Sequence, residues 1–138
     1  MKKRFLNLSF LFMLFCHTGY SQTTISETVE YMRQKGFSLA SNDYFTLNYR
    51  QEKYLTRKFY SSSTYCIVAL PTETGVKDLD IYVYEADGTL YKKDADASKV
   101  SVVNLDLLVS REMSVYVKNY DCERTGYGYD CRLLIFYK

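Results

Sequence analysis

The chain has 138 residues, and its 18 basic and 16 acidic residues leave a formal net charge of only +2. This length suits one domain, and the near balance of charge excludes the basic surface that nucleic-acid-binding proteins need. The chain contains a single histidine, His17, and no tryptophan.

Residues 1–21 have the layout of a secretory signal peptide. Residues 2–4 are basic, an apolar run of 12 residues follows over residues 5–16, and small residues precede a cleavage point before Gln22. The apolar run is too short for a transmembrane helix, which needs about 20 residues. We therefore expect an exported chain of residues 22–138, periplasmic or extracellular. Lipidation at Cys16 is the alternative, although bulky Phe15 stands where lipidation signals have a small residue.

Removal of this leader would change the chemistry that the chain can perform. The leader holds three of the 18 basic residues, so 15 would remain against 16 acidic ones. It also holds His17, and nucleophilic triads and histidine zinc sites need an imidazole. The sequence therefore predicts a non-enzymatic protein, with carboxylate chemistry as the remaining catalytic possibility.

Three cysteines follow the leader, and an exported protein is expected to form a disulfide. Cys122 and Cys131 flank a loop suited to closing two antiparallel strands, so we predict that they form the bridge. Cys66 then becomes a buried thiol. A bridge from Cys66 to either of the other two is the alternative.

The remaining chain predicts one helix followed by strands only. Thr24 and Glu27 form a capping-box pattern, and apolar residues at helical spacing predict a helix over residues 24–35. Beyond it, runs rich in tyrosine and β-branched residues alternate with turn residues. Strands are predicted near residues 44–50, 53–60, 64–70, 79–85, 89–93, 99–107, 112–119 and 131–137.

Eight short strands with no helix between them predict a mainly β fold, an antiparallel β-sandwich or jelly roll. The strand in residues 79–85 alternates aliphatic residues with tyrosine or polar residues, and so does the strand in residues 112–119. The last strand is apolar on both faces. We therefore expect it to be central or covered by the helix. The tyrosines on the outer faces are interpreted as mostly structural.

One stretch, residues 64–120, is similar to a known family. Its Asp-Leu-Asp-hydrophobic-Tyr strand, the Ala-Asp-Gly turn, Asp94, a valine-rich strand and a final Val-Tyr-Val-Lys-Asn strand resemble the pre-peptidase C-terminal (PPC-like) β-sandwich domains of secreted bacterial proteins. The resemblance implies a non-catalytic jelly-roll module. It also implies that the module could bind calcium or an extracellular polymer, as some members do.

Four aspartates raise the question of a metal site. Asp78 and Asp80 lie two residues apart on one strand, and Asp94 and Asp96 form a second such pair across the predicted hairpin. Calcium binds carboxylate oxygens, so the four together form a candidate calcium site. The alternatives are a solvated polar edge and, least favoured, a catalytic carboxylate pair. Asp87 and Gly88 are read as hairpin residues.

A second candidate site is the loop that contains Tyr127 and Tyr129, each preceded by a glycine. Rigid aromatic residues on a glycine frame are typical of binding loops. The alternative is that both rings cover the nearby cysteine pair.

The sequence thus predicts an exported, non-enzymatic bacterial binding module for an extracellular glycan or a protein partner. The alternatives are a calcium-stabilised structural domain and a small secreted inhibitor or immunity-type protein. No transmembrane segment is expected, and no nucleic-acid partner.

Overall fold

Alternating apolar and polar residues build eight strands, preceded by one helix. The structure, a computed structural model, describes residues 24–138, and the predicted signal peptide lies outside them. The elements are α1 (Ile25–Gln34), β1 (Ser38–Leu47), β2 (Glu52–Phe59), β3 (Thr64–Pro71), β4 (Val76–Glu85), β5 (Leu90–Asp94), β6 (Ser101–Asp106), β7 (Arg111–Cys122) and β8 (Tyr129–Tyr137).

The strands form two four-stranded antiparallel sheets. The first sheet has the order β1-β8-β3-β6, and the second sheet has the order β2-β7-β4-β5. Aliphatic side chains from both sheets meet between them, among them Ile67, Leu79, Val115 and Ile135, each fully buried. This arrangement confirms the predicted antiparallel β-sandwich of eight strands with one short helix.

Helix α1 lies on the outer face of the first sheet. Thr24 caps it, because its hydroxyl accepts a hydrogen bond from the Glu27 amide while the Glu27 carboxylate accepts one from the Thr24 amide. Met32 packs with Leu134 and Phe136 of β8 in a second apolar cluster. Strand β8 is therefore both central in its sheet and covered by the helix, as its two apolar faces predicted.

The β4–β5 hairpin is also confirmed. Gly88 has a φ of 86°, a conformation that glycine adopts without steric strain, and its amide donates to the Glu85 carbonyl over 2.9 Å. The Asp87 side chain accepts a hydrogen bond from the Thr89 amide at 2.9 Å. This bond lowers the pKa of Asp87, so both residues serve the turn.

The predicted disulfide between Cys122 and Cys131 is wrong for this structure. All three cysteines of residues 24–138 are free and buried. Cys122 ends β7 in the second sheet, where it pairs with Val76, whereas Cys131 lies in the first sheet between β1 and β3. The connection from β7 to β8 therefore crosses between sheets and does not close a hairpin. Cys66 is a free, buried thiol, as predicted. Burial raises the pKa of this thiol to about 12.

Candidate functional site

The two sheets differ in what covers their outer faces. Helix α1 covers part of the first sheet, and the outward side chains of β3 and β8 beneath it are apolar and buried, including Val68, Leu70 and Leu134. The second sheet has no such cover from the described part of the chain. Its outward positions carry tyrosine, serine, threonine and charged residues.

Five tyrosines dominate this uncovered surface, which we call the tyrosine face. They come from three adjacent strands: Tyr54 of β2, Tyr82 and Tyr84 of β4, and Tyr116 and Tyr120 of β7. Strand pairing places Tyr54 opposite Tyr116, and Tyr116 opposite Tyr82. Because directly paired residues point to the same side of a sheet, these three rings form a row across the sheet.

The rings contact one another in two geometries. Tyr54 and Tyr116 are stacked, with ring centroids 4.7 Å apart and ring planes 20° apart. Tyr84 meets Tyr116 edge to face, with centroids 5.2 Å apart. Each such pair contributes about 0.5–1.5 kcal/mol beyond buried area, so the rings hold one another in place. Tyr54 lies on an edge strand and remains 57% exposed.

A shallow depression of about 390 Å³ lies at one side of the tyrosine face. Tyr84 and Tyr116 line it together with the hydroxyl of Ser114 and the carboxylate of Glu52. Glu85, which also lines it, forms an ion pair with Arg111. The depression thus combines aromatic rings with hydrogen-bonding groups.

The four aspartates of the predicted calcium site have different environments. Asp78 accepts a hydrogen bond from the Ser98 amide at 3.3 Å, and Asp94 accepts one from the Val102 amide at 2.7 Å. Asp96 is exposed, whereas Asp80 is only 2% exposed. The bonds to Asp78 and Asp94 fix the segment that joins β5 to β6.

No three histidine, cysteine or carboxylate side chains within residues 24–138 are arranged so that they could hold one metal ion. The calcium site predicted at Asp78, Asp80, Asp94 and Asp96 therefore gains no support from their positions. The structure gives two of them a structural role at the β5–β6 connection instead.

Burial perturbs two of these carboxyl groups. It raises the pKa of Asp78 and of Asp80, and the neighbouring aspartates raise both further. One Asp80 oxygen accepts a hydrogen bond from the Tyr82 hydroxyl at 3.1 Å, and the other oxygen has no partner. Burial and this hydrogen bond raise the pKa of Tyr82 to about 12. Asp80 is almost fully covered, so its carboxyl group is not open to solvent.

The predicted binding loop places its two tyrosines differently. Tyr129 is 3% exposed and belongs to the core between the sheets, where its hydroxyl accepts a hydrogen bond from the Arg124 amide. Tyr127 is 44% exposed, packs edge to face on Tyr129 and donates a hydrogen bond to Glu73. Only Tyr127 therefore presents a surface to a ligand.

Sequence reasoning identified the alternating tyrosines but did not assign them to a site. The signal was present in the spacing, because Tyr82 and Tyr84 share one face of β4 while Tyr116 and Tyr120 share one face of β7. The sequence does not show that β4 and β7 are neighbours, so it could not predict that these tyrosines form one surface.

No protein-family model matches the sequence, and no curated protein matches it either. The resemblance to PPC-like domains therefore stays a prediction.

Residues 24–138 contain no helix long and apolar enough to cross a membrane.

Proposed function

We propose that this chain is an exported, non-catalytic binding module that holds a polysaccharide on the tyrosine face. The observation that carries the proposal is the difference between the two outer faces. The first sheet carries apolar side chains under a helix, and the second carries tyrosines with no cover from the described residues. Contiguous exposed aromatic surface is typical of interaction sites.

The composition of the tyrosine face favours a polysaccharide over a protein. The core of a protein interface is apolar and depleted of lysine, glutamate and serine. The outward positions of β2 and β7 hold no aliphatic residue, and Thr56 and Ser114 place two hydroxyls 2.8 Å apart beside the rings. Hydroxyl groups and ring faces suit a ligand that itself consists of hydroxyl-bearing rings.

Export and the absence of catalysis rest on the sequence. The basic start and apolar run of residues 2–16 support export, and the only histidine precedes the predicted cleavage point. Loss of that histidine removes the usual general base.

Native gel electrophoresis through gels that contain neutral or acidic soluble polysaccharides tests the proposal. A polysaccharide ligand will retard the chain, and Tyr54→Ala will weaken that binding at least about tenfold because the stacked ring is lost. Tyr44→Ala is the matched control, since Tyr44 is similarly exposed at 51% but lies on β1 of the first sheet. Equal effects of the two substitutions, or no retardation of the parent chain, would contradict the proposal.

A further inference from the structure

The turn between β1 and β2 holds an arginine in an unusual backbone conformation beside the tyrosine face. Arg50 has a φ of 62°, and it is the one non-glycine residue in the described chain with a positive φ. Its amide donates to the Asn119 carbonyl over 2.7 Å, which ties the turn to β7. Glycine or asparagine is favoured at such a position, and a larger side chain is strained there. Strain of this kind is concentrated at functional sites.

The Arg50 side chain lies against two exposed tyrosines. Its guanidinium carbon is 4.2 Å from the ring centroid of Tyr120 and 5.3 Å from that of Tyr49. The Lys118 ammonium lies 5.9 Å from the Tyr120 ring. Rings attract cations through their negative faces, so Tyr49 and Tyr120 hold the guanidinium in place. We call these four residues the cationic corner.

The positive charge of this corner has no ion-pair partner among residues 24–138. The ion pairs among residues 24–138 are Arg33–Glu30 and Arg111–Glu85, so no described carboxylate lies within 4.0 Å of Arg50 or Lys118. Strand pairing does place Glu52 and Asp80 on either side of Lys118. Their charges partly offset that of Lys118, which leaves Arg50 as the surplus cation.

The cationic corner is continuous with the tyrosine face. Tyr116, Lys118 and Tyr120 occupy successive outward positions on β7. Four residues of extended strand span about 13 Å, so one ligand of a few sugar units reaches from the Tyr116 ring to the Arg50 guanidinium.

Resting on the proposed function, we propose that the ligand is an acidic polysaccharide. Its sugar rings contact the tyrosine face, and its carboxylate or sulfate groups bind the guanidinium of Arg50. A guanidinium binds both anions through paired hydrogen bonds. A need to position this guanidinium for the ligand explains why the turn carries arginine, although glycine would adopt the positive φ without strain.

The substitution Arg50→Gly distinguishes a role of Arg50 in ligand binding from a role in stabilising the fold. Glycine adopts the positive φ without strain, so the midpoint of thermal unfolding will stay the same or rise. Affinity for the acidic polysaccharide will fall at least about tenfold, as expected for loss of a charged contact. Lys35→Ala is the matched control, because Lys35 also lies over a tyrosine ring, at 5.4 Å, but at the C-terminal cap of α1 across the sandwich.

Four probes define the ligand: dextran, dextran sulfate, polygalacturonate and poly-glutamate, with binding measured by calorimetry. Binding to dextran sulfate or polygalacturonate, but not to dextran or poly-glutamate, supports the proposal and tells sulfate from carboxylate. Equal binding to poly-glutamate would mean that charge alone is recognised and would overturn it. Binding to dextran alone, or unchanged affinity in Arg50→Gly, would overturn it and leave the polysaccharide-binding function intact. Binding to none of the polysaccharides would overturn both.

Discussion

Replacement of Asp80 by asparagine will stabilise the protein. Asp80 is 2% exposed, and one of its carboxylate oxygens has no hydrogen-bond partner. The other oxygen accepts from the Tyr82 hydroxyl, while Asp78 and Asp94 add like charge nearby. Asparagine has almost the same shape, so its carbonyl keeps the bond from Tyr82. Its neutral amide nitrogen takes the place of the charged oxygen that has no partner.

The size of the effect follows from the charge on that oxygen. A buried polar atom without a partner costs about 1–3 kcal/mol and a charged one costs more, so the neutral amide reduces the cost without removing it. Removal of the charge also removes the repulsion from Asp78 and Asp94, whereas the opposing attraction from Lys118 is lost. We expect the free energy of unfolding to rise by about 1–2 kcal/mol at pH 7. For a domain of this size the midpoint of thermal unfolding then rises by roughly 4–8 °C.

The effect depends on pH in a defined direction. The pKa of Asp80 in the folded state is raised above its ordinary value of 3.8, so the folded state keeps the proton more strongly than the unfolded state does. The stability from that proton is fully present below pH 3.8 and is lost as the pH rises through the folded-state pKa. Asp78 behaves in the same way. The parent chain will therefore lose more stability between pH 4 and pH 7 than Asp80→Asn.

Thermal unfolding followed by circular dichroism at pH 4 and pH 7, in EDTA and in millimolar calcium, measures these differences. Asp96→Asn is the control, because Asp96 is exposed and its replacement should change little. Destabilisation by Asp80→Asn in EDTA would refute the reasoning, since the oxygen would then have a favourable partner. Destabilisation in calcium alone would show that an ion supplies that partner.

Two further predictions concern the core. Gly75→Ala will lower the free energy of unfolding, measured in urea, by about 2–4 kcal/mol, because the added Cβ would lie 2.5 Å from the Tyr129 ring and the φ of residue 75 is 108°. Gly126→Ala is the control and will not lower it, because the space around Gly126 is open. In the folded protein at pH 8, Cys66 and Cys131 will not react with a disulfide reagent, because burial raises the pKa of both thiols to about 12. All three cysteines of residues 24–138 will react in urea, and a single reactive thiol there would reveal a bridge.

The fold could be predicted from the sequence where burial imposes a local pattern. Strands β4 and β7 alternate strictly, and the two apolar faces of β8 showed that it is covered on both sides. Strand β1 begins at Ser38, six residues before the predicted start near 44. Its first half is an exposed edge that pairs only with β8, so no apolar alternation marks it.

The candidate site could not be predicted because it depends on which strands are neighbours. The eight residues between Cys122 and Cys131 have a composition that suits a hairpin, yet they cross from one sheet to the other. Loop composition does not distinguish these two connections. For the same reason Tyr54 and Tyr116, 62 positions apart, gave no sign that their rings would stack.

The two outer faces also bear on the role proposed for the tyrosines. Where α1 covers a sheet, the outward residues are apolar, as burial demands, for example Val68 and Phe136. A sheet face that no described element covers needs polar residues for solubility, such as lysine, glutamate and threonine. Strand β2 has Lys58 and Thr56 at such positions. Tyrosine at Tyr54 satisfies neither demand, because it is 57% exposed and adds nothing to the core. Its position beside other rings supports the proposed ligand-binding surface.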